Sequence, residues 1–257
     1  MELVDRFSEL VRRPEPDIGL AEGALLIASA ADPGLDPAPS LATLEELAGG
    51  VDDLVTLCRR LFVELGFRGD AREYHSPVNS LLHRVLERRR GIPITLSVVT
   101  LEVARRAGVQ LEPIGMPAHF LVRDPASGLY VDSFGATVLD EAGCEALYRD
   151  VSGGGQGTFG PDLLPVVGPR DILGRILTNL ARIYRMNADP VNLEWVARLR
   201  LEIPGVPASE ALQLARAVAA QGRLREAAAE LEARADQDPD LAETFLPAAR
   251  TLRAQLN

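Results

Sequence analysis

Apolar residues recur with helical spacing through the first ninety residues of the chain. Residues 54–65 carry apolar side chains at 54, 57, 58, 61, 62 and 65, which form one stripe on a helix, and Gly66 follows as a stop signal. The Ala- and Leu-rich residues 17–31 predict another helix, and the breaker-rich residues 32–39 follow it. Ser76-Pro77 predicts the start of a further helix. This part of the chain is therefore predicted to be helical.

The pattern changes at residues 94–107, where almost no polar face is left. Pro93 suits the first turn of a helix here, and Gly108 suits the position just after its end. A helix that is apolar nearly all round has no side to turn to water. We therefore predict a helix that is buried on almost every side.

Two short strands are predicted next, over residues 118–123 and 129–134, around a turn signal that begins Asp124-Pro125. If the loop is residues 124–127, Arg123 pairs with Gly128 and His119 lies directly opposite Asp132. A five-residue loop pairs His119 with Ser133 instead. The predicted imidazole–carboxylate pair therefore depends on one residue of loop.

A short helix near Asp140 and the Gly- and Pro-rich residues 152–169 come next, and residues 170–257 are predicted to be helical. The tail shows self-similarity at a spacing of 34 residues: Leu177, Leu180, Ala181 and Tyr184 correspond to Ala211, Leu214, Ala215 and Val218. This pattern resembles the tetratricopeptide repeat, a helix–turn–helix unit that stacks into a scaffold. A plain helical bundle is the alternative interpretation of the tail.

Charge and composition narrow the function classes. The formal net charge is −10 and the sequence contains no Lys, which disfavours nucleic acid and anionic membranes as partners. No apolar run is long enough to cross a bilayer, and residues 1–5 lack the features of a secretion signal, so we expect a cytoplasmic protein. Cys58 and Cys144 are the only cysteines, and with three histidines they predict neither a metal site nor a cofactor.

The middle of the chain resembles the transglutaminase-like superfamily, and within it the SirB-type bacterial branch. The matching segments are 77–80 (PVNS), 85–97 (VLERRRGIPITLS), 101–108 (LEVARRAG), 114–122 (IGMPAHFLV) and 130–134 (YVDSF). A series this long is more specific than an isolated triad. The resemblance implies an α+β fold with a papain-type cysteine proteinase core, followed by a tetratricopeptide-like helical tail. We expect residues 1–151 to form the core domain, 152–169 a linker and 170–257 the repeats.

Active members of this superfamily use a Cys, His and Asp triad, with the Cys at the start of the buried helix. The resemblance assigns the histidine to His119 and the aspartate to Asp132. It places Pro93 at the nucleophile position, and proline has no nucleophilic atom and no backbone N–H. The resemblance therefore implies that acyl transfer has been lost.

Three functional hypotheses follow. The first is a non-catalytic, pseudoenzyme-like module that binds a protein or peptide in a groove near Asn79, Pro93, Thr95, Met116 and His119. The second is a hydrolase or acyltransferase in which Thr95 or Ser97 replaces the cysteine and is activated by His119 and Asp132. The third is a structural role, in which the His–Asp pair only stabilises the hairpin. The first hypothesis is preferred, because the nucleophile is absent and repeats commonly present binding surfaces.

Overall fold

A computed structural model describes residues 3–153 and 159–256 of the chain. It forms two compact units, one of Glu15–Ile176 and one that combines Met1–Pro14 with Leu177–Asn257. We refer to them as the core unit and the helical unit. Within the described residues, no helix is both long and apolar enough to cross a membrane.

The element order is mixed in the first two thirds of the chain and helical thereafter. The α-helices are α1 (Leu3–Val11), α2 (Leu20–Ala31), α3 (Ala38–Ala48), α4 (Leu54–Cys58), α5 (Leu82–Arg88), α6 (Pro93–Ala107), α7 (Glu141–Val151), α8 (Pro169–Met186), α9 (Pro190–Glu202), α10 (Glu210–Ala220), α11 (Leu224–Gln237) and α12 (Ala242–Ala254). The strands are β1 (Arg68–Gly69), β2 (Arg90–Gly91), β3 (Glu112–Ile114), β4 (Leu121–Arg123), β5 (Tyr130–Asp132) and β6 (Thr137–Leu139).

Helix α6 is the centre of the core unit, and the prediction of a helix buried on nearly all sides is confirmed. Of its fifteen residues, eleven are buried. Pro93 occupies the first turn, and Gly108 ends the helix with a φ of 77°. Helices α2 to α5 and both sheets pack around it. Burial of so many branched side chains makes α6 the fixed element on which the surrounding loops are positioned.

The helices before α6 are less regular than the sequence predicts. The predicted helix over residues 54–65 is α-helical only to Cys58 and continues as a π-helix over Arg59–Glu64. The helix expected to start at Ser76-Pro77 begins as a 3-10 turn, Pro77–Ser80, before α5. Leu57 and Leu61 are nevertheless fully buried, so the apolar face still lies on the core.

Strands β3 to β6 form a four-stranded antiparallel sheet in sequence order, and β1 pairs with β2 in parallel. The two predicted strands correspond to β4 and β5 and are shorter than expected. Strands β1, β2, β3 and β6 were not predicted, because two or three residues are too few to show an alternating pattern.

Both predicted registers of the hairpin are wrong. Arg123 pairs with Tyr130 and Val122 with Val131, so the partner of Asp132 is two residues further along than expected. The loop does have four residues, but they are 125–128, because the Asp124 N–H donates to the Leu129 carbonyl at 2.9 Å. A displacement of two residues keeps every side chain on its predicted face. His119 and Asp132 thus share a face as diagonal neighbours.

The helical unit consists of α1 with α9 to α12 and the second half of α8. Helix α1 packs on α9, α9 on α10, and α10 and α12 on α11. The positions that repeat at 34-residue spacing are buried in both segments, except for Ala181, which is partly exposed. The apolar periodicity of the tail therefore marks the side of each helix that is covered.

The division of the chain differs from the expected domains at two places. The first fourteen residues group with the tail rather than with the core, and the boundary falls inside α8, at residue 177 rather than 170. In the expected linker, Pro165 and Val167 exchange backbone hydrogen bonds with Gly115 and Pro113 beside β3. Residues 154–158 of that linker lie outside the described residues.

Candidate functional site

The imidazole–carboxylate pair is formed and buried. His119 Nε2 lies 2.8 Å from Asp132 Oδ1, and the two residues are 6% and 5% exposed. A carboxylate accepts hydrogen bonds, so Nε2 carries the proton and, in the neutral ring, Nδ1 is the acceptor. Nδ1 is therefore the nitrogen left to take a proton from a nucleophile or a hydrogen bond from a ligand.

The backbone before β4 fixes the position of His119. Ala118 has a φ of 61°, in the left-handed region that is costly for a residue with a Cβ. The His119 N–H donates to the Met116 carbonyl at 3.2 Å, which closes this turn. Met116 itself is fully buried. The turn brings the imidazole over the end of β5, although His119 lies outside the strand.

Arg175 holds the same turn from α8. Its Nη2 donates to the carbonyl oxygens of His119, at 2.7 Å, and Met116, at 3.2 Å. Its guanidinium carbon lies 5.0 Å from the centre of the Phe120 ring. Burial lowers the pKa of the Arg175 side chain, yet it remains the cation of this region. Arg175 thus positions the histidine through two backbone oxygens.

Asp132 is positioned by the turn that follows it. Its Oδ1 also accepts from the Phe134 N–H at 3.0 Å, a bond from side chain to backbone two residues on. A Cβ at Gly135 would lie 2.5 Å from Asp132 Oδ2. The carboxylate therefore needs glycine at 135 to occupy this position.

Aromatic side chains cover the pair. The Phe134 ring packs edge-on against two other rings. Its centre lies 6.1 Å from the centre of the His119 ring and 5.8 Å from that of the Tyr74 ring. Gly69 lies beneath Phe134, where a Cβ would come within 2.4 Å of the ring. Tyr74 therefore lies one aromatic ring away from His119.

The residue next to the aspartate ties this region to α6. Ser133 Oγ and Thr100 Oγ1 are 2.9 Å apart, and both residues are buried. Thr100 Oγ1 also bonds to the Leu96 carbonyl at 3.1 Å. This contact fixes the end of β5 against the central helix.

A second cluster surrounds the start of α6. Thr95 Oγ1 lies 2.6 Å from the Asn79 carbonyl and accepts from the Ile92 N–H at 3.2 Å. Asn79 donates from Nδ2 to the Glu73 carbonyl and accepts from Arg88, both at 2.7 Å. The Thr95 hydroxyl is therefore engaged with backbone, and the Asn79 amide is engaged on both sides.

The two clusters together contain every predicted site residue except Ser97, and no hydrogen bond among the described residues joins them. His119 is grouped with Asp132 and Met116, while Asn79 and Thr95 are grouped at Pro93. Neither Thr95 nor Ser97 bonds to His119. Ser97 Oγ is buried and has no hydrogen-bond partner in the described chain.

Cys58 lies on α4 and Cys144 on α7, where Cys144 packs in one buried apolar cluster with Met116. Burial raises the pKa of Cys58 to about 11 and that of Cys144 to about 12. At neutral pH both are thiols, and the thiol is the unreactive form. Within the part of the chain that the structure describes, no three His, Cys, Asp or Glu side chains are placed to hold a metal ion.

Some contributors to the site were not found from the sequence. The Asp132–Phe134 turn has a local signal, since Asp followed by Ser, Phe and Gly is typical of such turns. Arg175 has no local sequence signal, because it donates to the carbonyl oxygen of a residue 56 positions away in the chain. Contacts over such distances are set by tertiary packing alone.

The buried His–Asp pair thus lies in an α+β core beside an apolar central helix. A family model described as "Transglutaminase-like superfamily" matches residues 35–178, and the chain belongs to this superfamily. The matched segment includes both clusters described above. No solved structure gives a significant match.

Relatives are found in bacteria and in mammals. A "UPF0162 protein" of Xylella fastidiosa (strain Temecula1) is 39% identical over 150 residues, which cover 55% of this chain and 52% of the relative. A UPF0162 protein of Pseudomonas aeruginosa is 30% identical over 202 residues, 74% of each chain. "F-box only protein 21" of Mus musculus is 42% identical over 85 residues, 32% of this chain and 14% of that protein. The chain spans about half the length of the Xylella relative.

Proposed function

We propose that this chain is a transglutaminase-like protein of the SirB type that has lost acyl transfer and binds a protein or peptide partner. One observation carries the proposal: the buried His119–Asp132 pair is kept, while α6 begins with Pro93 where the resemblance places the cysteine. An imidazole held in one tautomer, without a nucleophile, still offers Nδ1 as a hydrogen-bond acceptor. The function is then recognition rather than catalysis.

The tail adds to this proposal. In chain order its helices can be taken as two consecutive pairs, α8 with α9 and α10 with α11, followed by α12. This order and the 34-residue spacing support a tetratricopeptide-like scaffold, which presents surfaces for partners. The match to part of the much longer F-box protein supports a core that is reused as a module within other proteins.

The competing proposal is a hydrolase that uses Ser97, whose hydroxyl is buried and has no hydrogen-bond partner among the residues that the structure describes. A fluorophosphonate probe labels activated serine and threonine hydroxyls and distinguishes the two proposals. We expect no labelling of the wild-type chain above that of Ser97→Ala and Thr95→Ala. Labelling that one of these substitutions abolishes contradicts a non-catalytic function.

The position of the lost nucleophile is tested by Pro93→Cys. Position 93 is buried, and burial raises the pKa of the Cys58 and Cys144 thiols, but at the N-terminus of α6 the helix dipole favours the thiolate. We expect iodoacetamide at pH 7 to label the new thiol about tenfold faster than either native thiol, and His119→Gln to reduce that rate. If the new thiol is labelled no faster than the native cysteines, Pro93 does not occupy the nucleophile position.

Binding is tested by affinity capture with the wild-type chain and with His119→Gln, which retains a side-chain N–H for Asp132. We expect a partner that the wild type retains to be lost with His119→Gln, while circular dichroism shows both chains folded. If every captured polypeptide is retained equally, the pair has only a structural role and the proposed groove is wrong.

A further inference from the structure

The helical unit contains a groove of about 500 Å³ that shares no residue with the groove proposed near His119. Three helices each contribute one stripe of side chains at helical spacing. The lining residues that carry the argument are Ala181 and Arg185 on α8, Ala197 and Arg200 on α9, and Arg216 and Ala217 on α10. Cavities of this size are large enough for a ligand, and small side chains on the floor keep the groove open.

The groove is positively charged in a protein whose net charge is −10. Its lining contains Arg185, Arg200 and Arg216, and Glu210 is the only carboxylate that lines it among the described residues. Arg200 is already paired, since its Nε donates to Glu210 at 2.8 Å. This pair leaves the charges of Arg185 and Arg216 uncompensated at the rim.

Both rim arginines are exposed, and neither guanidinium has an ion pair or hydrogen bond within the described chain. Other arginines of this unit are paired, among them Arg198 with Glu194 and Arg253 with Glu232. Two uncompensated cations that face one apolar floor form an anion-selective surface, and they oppose the field of the rest of the protein.

We propose that this groove binds an acidic peptide segment, with Arg185 and Arg216 contacting carboxylates on either side of small apolar side chains. The apolar floor distinguishes this occupant from a small inorganic anion, which needs no apolar contact. Among the described residues that line the groove there is no aromatic side chain on which bases stack, which argues against single-stranded nucleic acid. The site is distinct from the groove proposed near His119, because all its residues lie in the helical unit.

The test uses the full chain and fluorescein-labelled random peptide pools. One pool contains Asp, Glu, Ala and Leu, and its matched pool replaces the acids with Asn and Gln. We expect the acidic pool to raise the anisotropy and the amide pool not to do so. Added salt is expected to weaken the binding, because exposed charges are screened.

Arg185→Glu combined with Arg216→Glu is expected to weaken binding of the acidic pool by about tenfold or more, since attraction becomes repulsion. Arg225→Glu combined with Arg250→Glu makes the same charge change at exposed positions outside the groove lining and is expected to leave affinity within about twofold. Equal loss in both double variants, or no binding of the acidic pool, overturns the proposal. So does equal binding of a single-stranded oligonucleotide that persists in the groove variant.

His119→Gln separates this inference from the function proposed for the core. We expect it to bind the acidic pool like the wild type. If His119→Gln loses the pool and the groove variant keeps it, the acidic ligand belongs to the core and the groove proposal fails.

Discussion

His83 shows how a single residue makes the fold sensitive to pH. It is 3% exposed, and neither ring nitrogen has a hydrogen-bond partner in the described chain. Burial lowers its pKa, and the charge of Arg84 lowers it further, while Glu87 and Asp32 act in the opposite direction. The folded protein therefore holds this imidazole neutral where the unfolded chain would protonate it.

The resulting pH dependence has a definite sign. The unfolded ring binds a proton below about pH 6.5 and the folded ring does so only at lower pH, so stability falls as pH falls through this window. Between pH 7.5 and 5.5 we expect the free energy of unfolding to fall less for His83→Leu than for the wild type. The difference between the two falls is up to about 1.4 kcal/mol per pH unit. Urea unfolding at the two pH values measures this. Identical pH dependence in the two chains would show that His83 charges freely in the fold.

Gly135 is the residue on which the carboxylate of the dyad depends. A methyl group there would lie 2.5 Å from Asp132 Oδ2, so the aspartate must move and its bonds to His119 and Phe134 must lengthen. We expect Gly135→Ala to lower the free energy of unfolding by about 1–3 kcal/mol, the cost of leaving buried donors without an acceptor. Chemical unfolding followed by far-ultraviolet circular dichroism measures the loss.

Gly160→Ala is the matched control for this substitution. Its backbone is extended and no atom lies within 4 Å of the added Cβ. A change within about 0.5 kcal/mol is expected there. If both alanine variants are equally stable, Asp132 is not constrained by the glycine.

At the scale of elements, the sequence predicted best where the information is local. The start, the end and the burial of helix α6 can all be predicted from consecutive residues, from Pro93 to Gly108. The loop of the β4–β5 hairpin has the predicted length but is displaced by one residue. Asp124 explains the displacement, because its backbone N–H pairs with Leu129 while its carboxylate binds the N–H groups of Ala126 and Ser127.

The contact between His119 and Asp132 was predicted although the predicted strand register was wrong, because the error left both side chains on the correct face of the sheet. A displacement of two residues leaves the alternation of side chains unchanged, so His119 and Asp132 still meet. What fixes their distance was not predictable from local pattern. The left-handed turn at Ala118 and the guanidinium of Arg175 together set it, and the second of these acts across 56 residues.

On the scale of the whole molecule, α1 belongs to the helical unit. Phe7, Leu10 and Val11 are fully buried in α1, and the Ser8 hydroxyl donates to Glu202 Oε2 at 2.7 Å. The prediction that the first residues form part of the core domain did not anticipate this grouping. An amphipathic helix of nine residues carries no sign of which apolar surface it will cover.

Phe7→Ala tests this grouping. Removal of a fully buried aromatic ring is expected to lower the free energy of unfolding of the helical unit by about 3–5 kcal/mol. Trp195, the only tryptophan, lies on α9 against Tyr184, so its fluorescence reports on this unit. Arg6→Ala, at an exposed position of the same helix, is the control and is expected to change stability by less than about 0.5 kcal/mol. Equal transitions in the two variants would mean that α1 contributes little.

The pairing of α1 with α9 also sets an order of events during synthesis. Helix α1 leaves the ribosome before α9, and Pro190, where α9 begins, is added about 180 residues after α1 ends. At usual translation rates of about 5–20 residues per second, the apolar stripe of α1 lacks its packing partner α9 for roughly ten seconds or more. The core unit is complete in sequence before α9 is made. A nascent-chain arrest before residue 190 should therefore leave Phe7 accessible to proteases and chaperones, and release past that point should protect it.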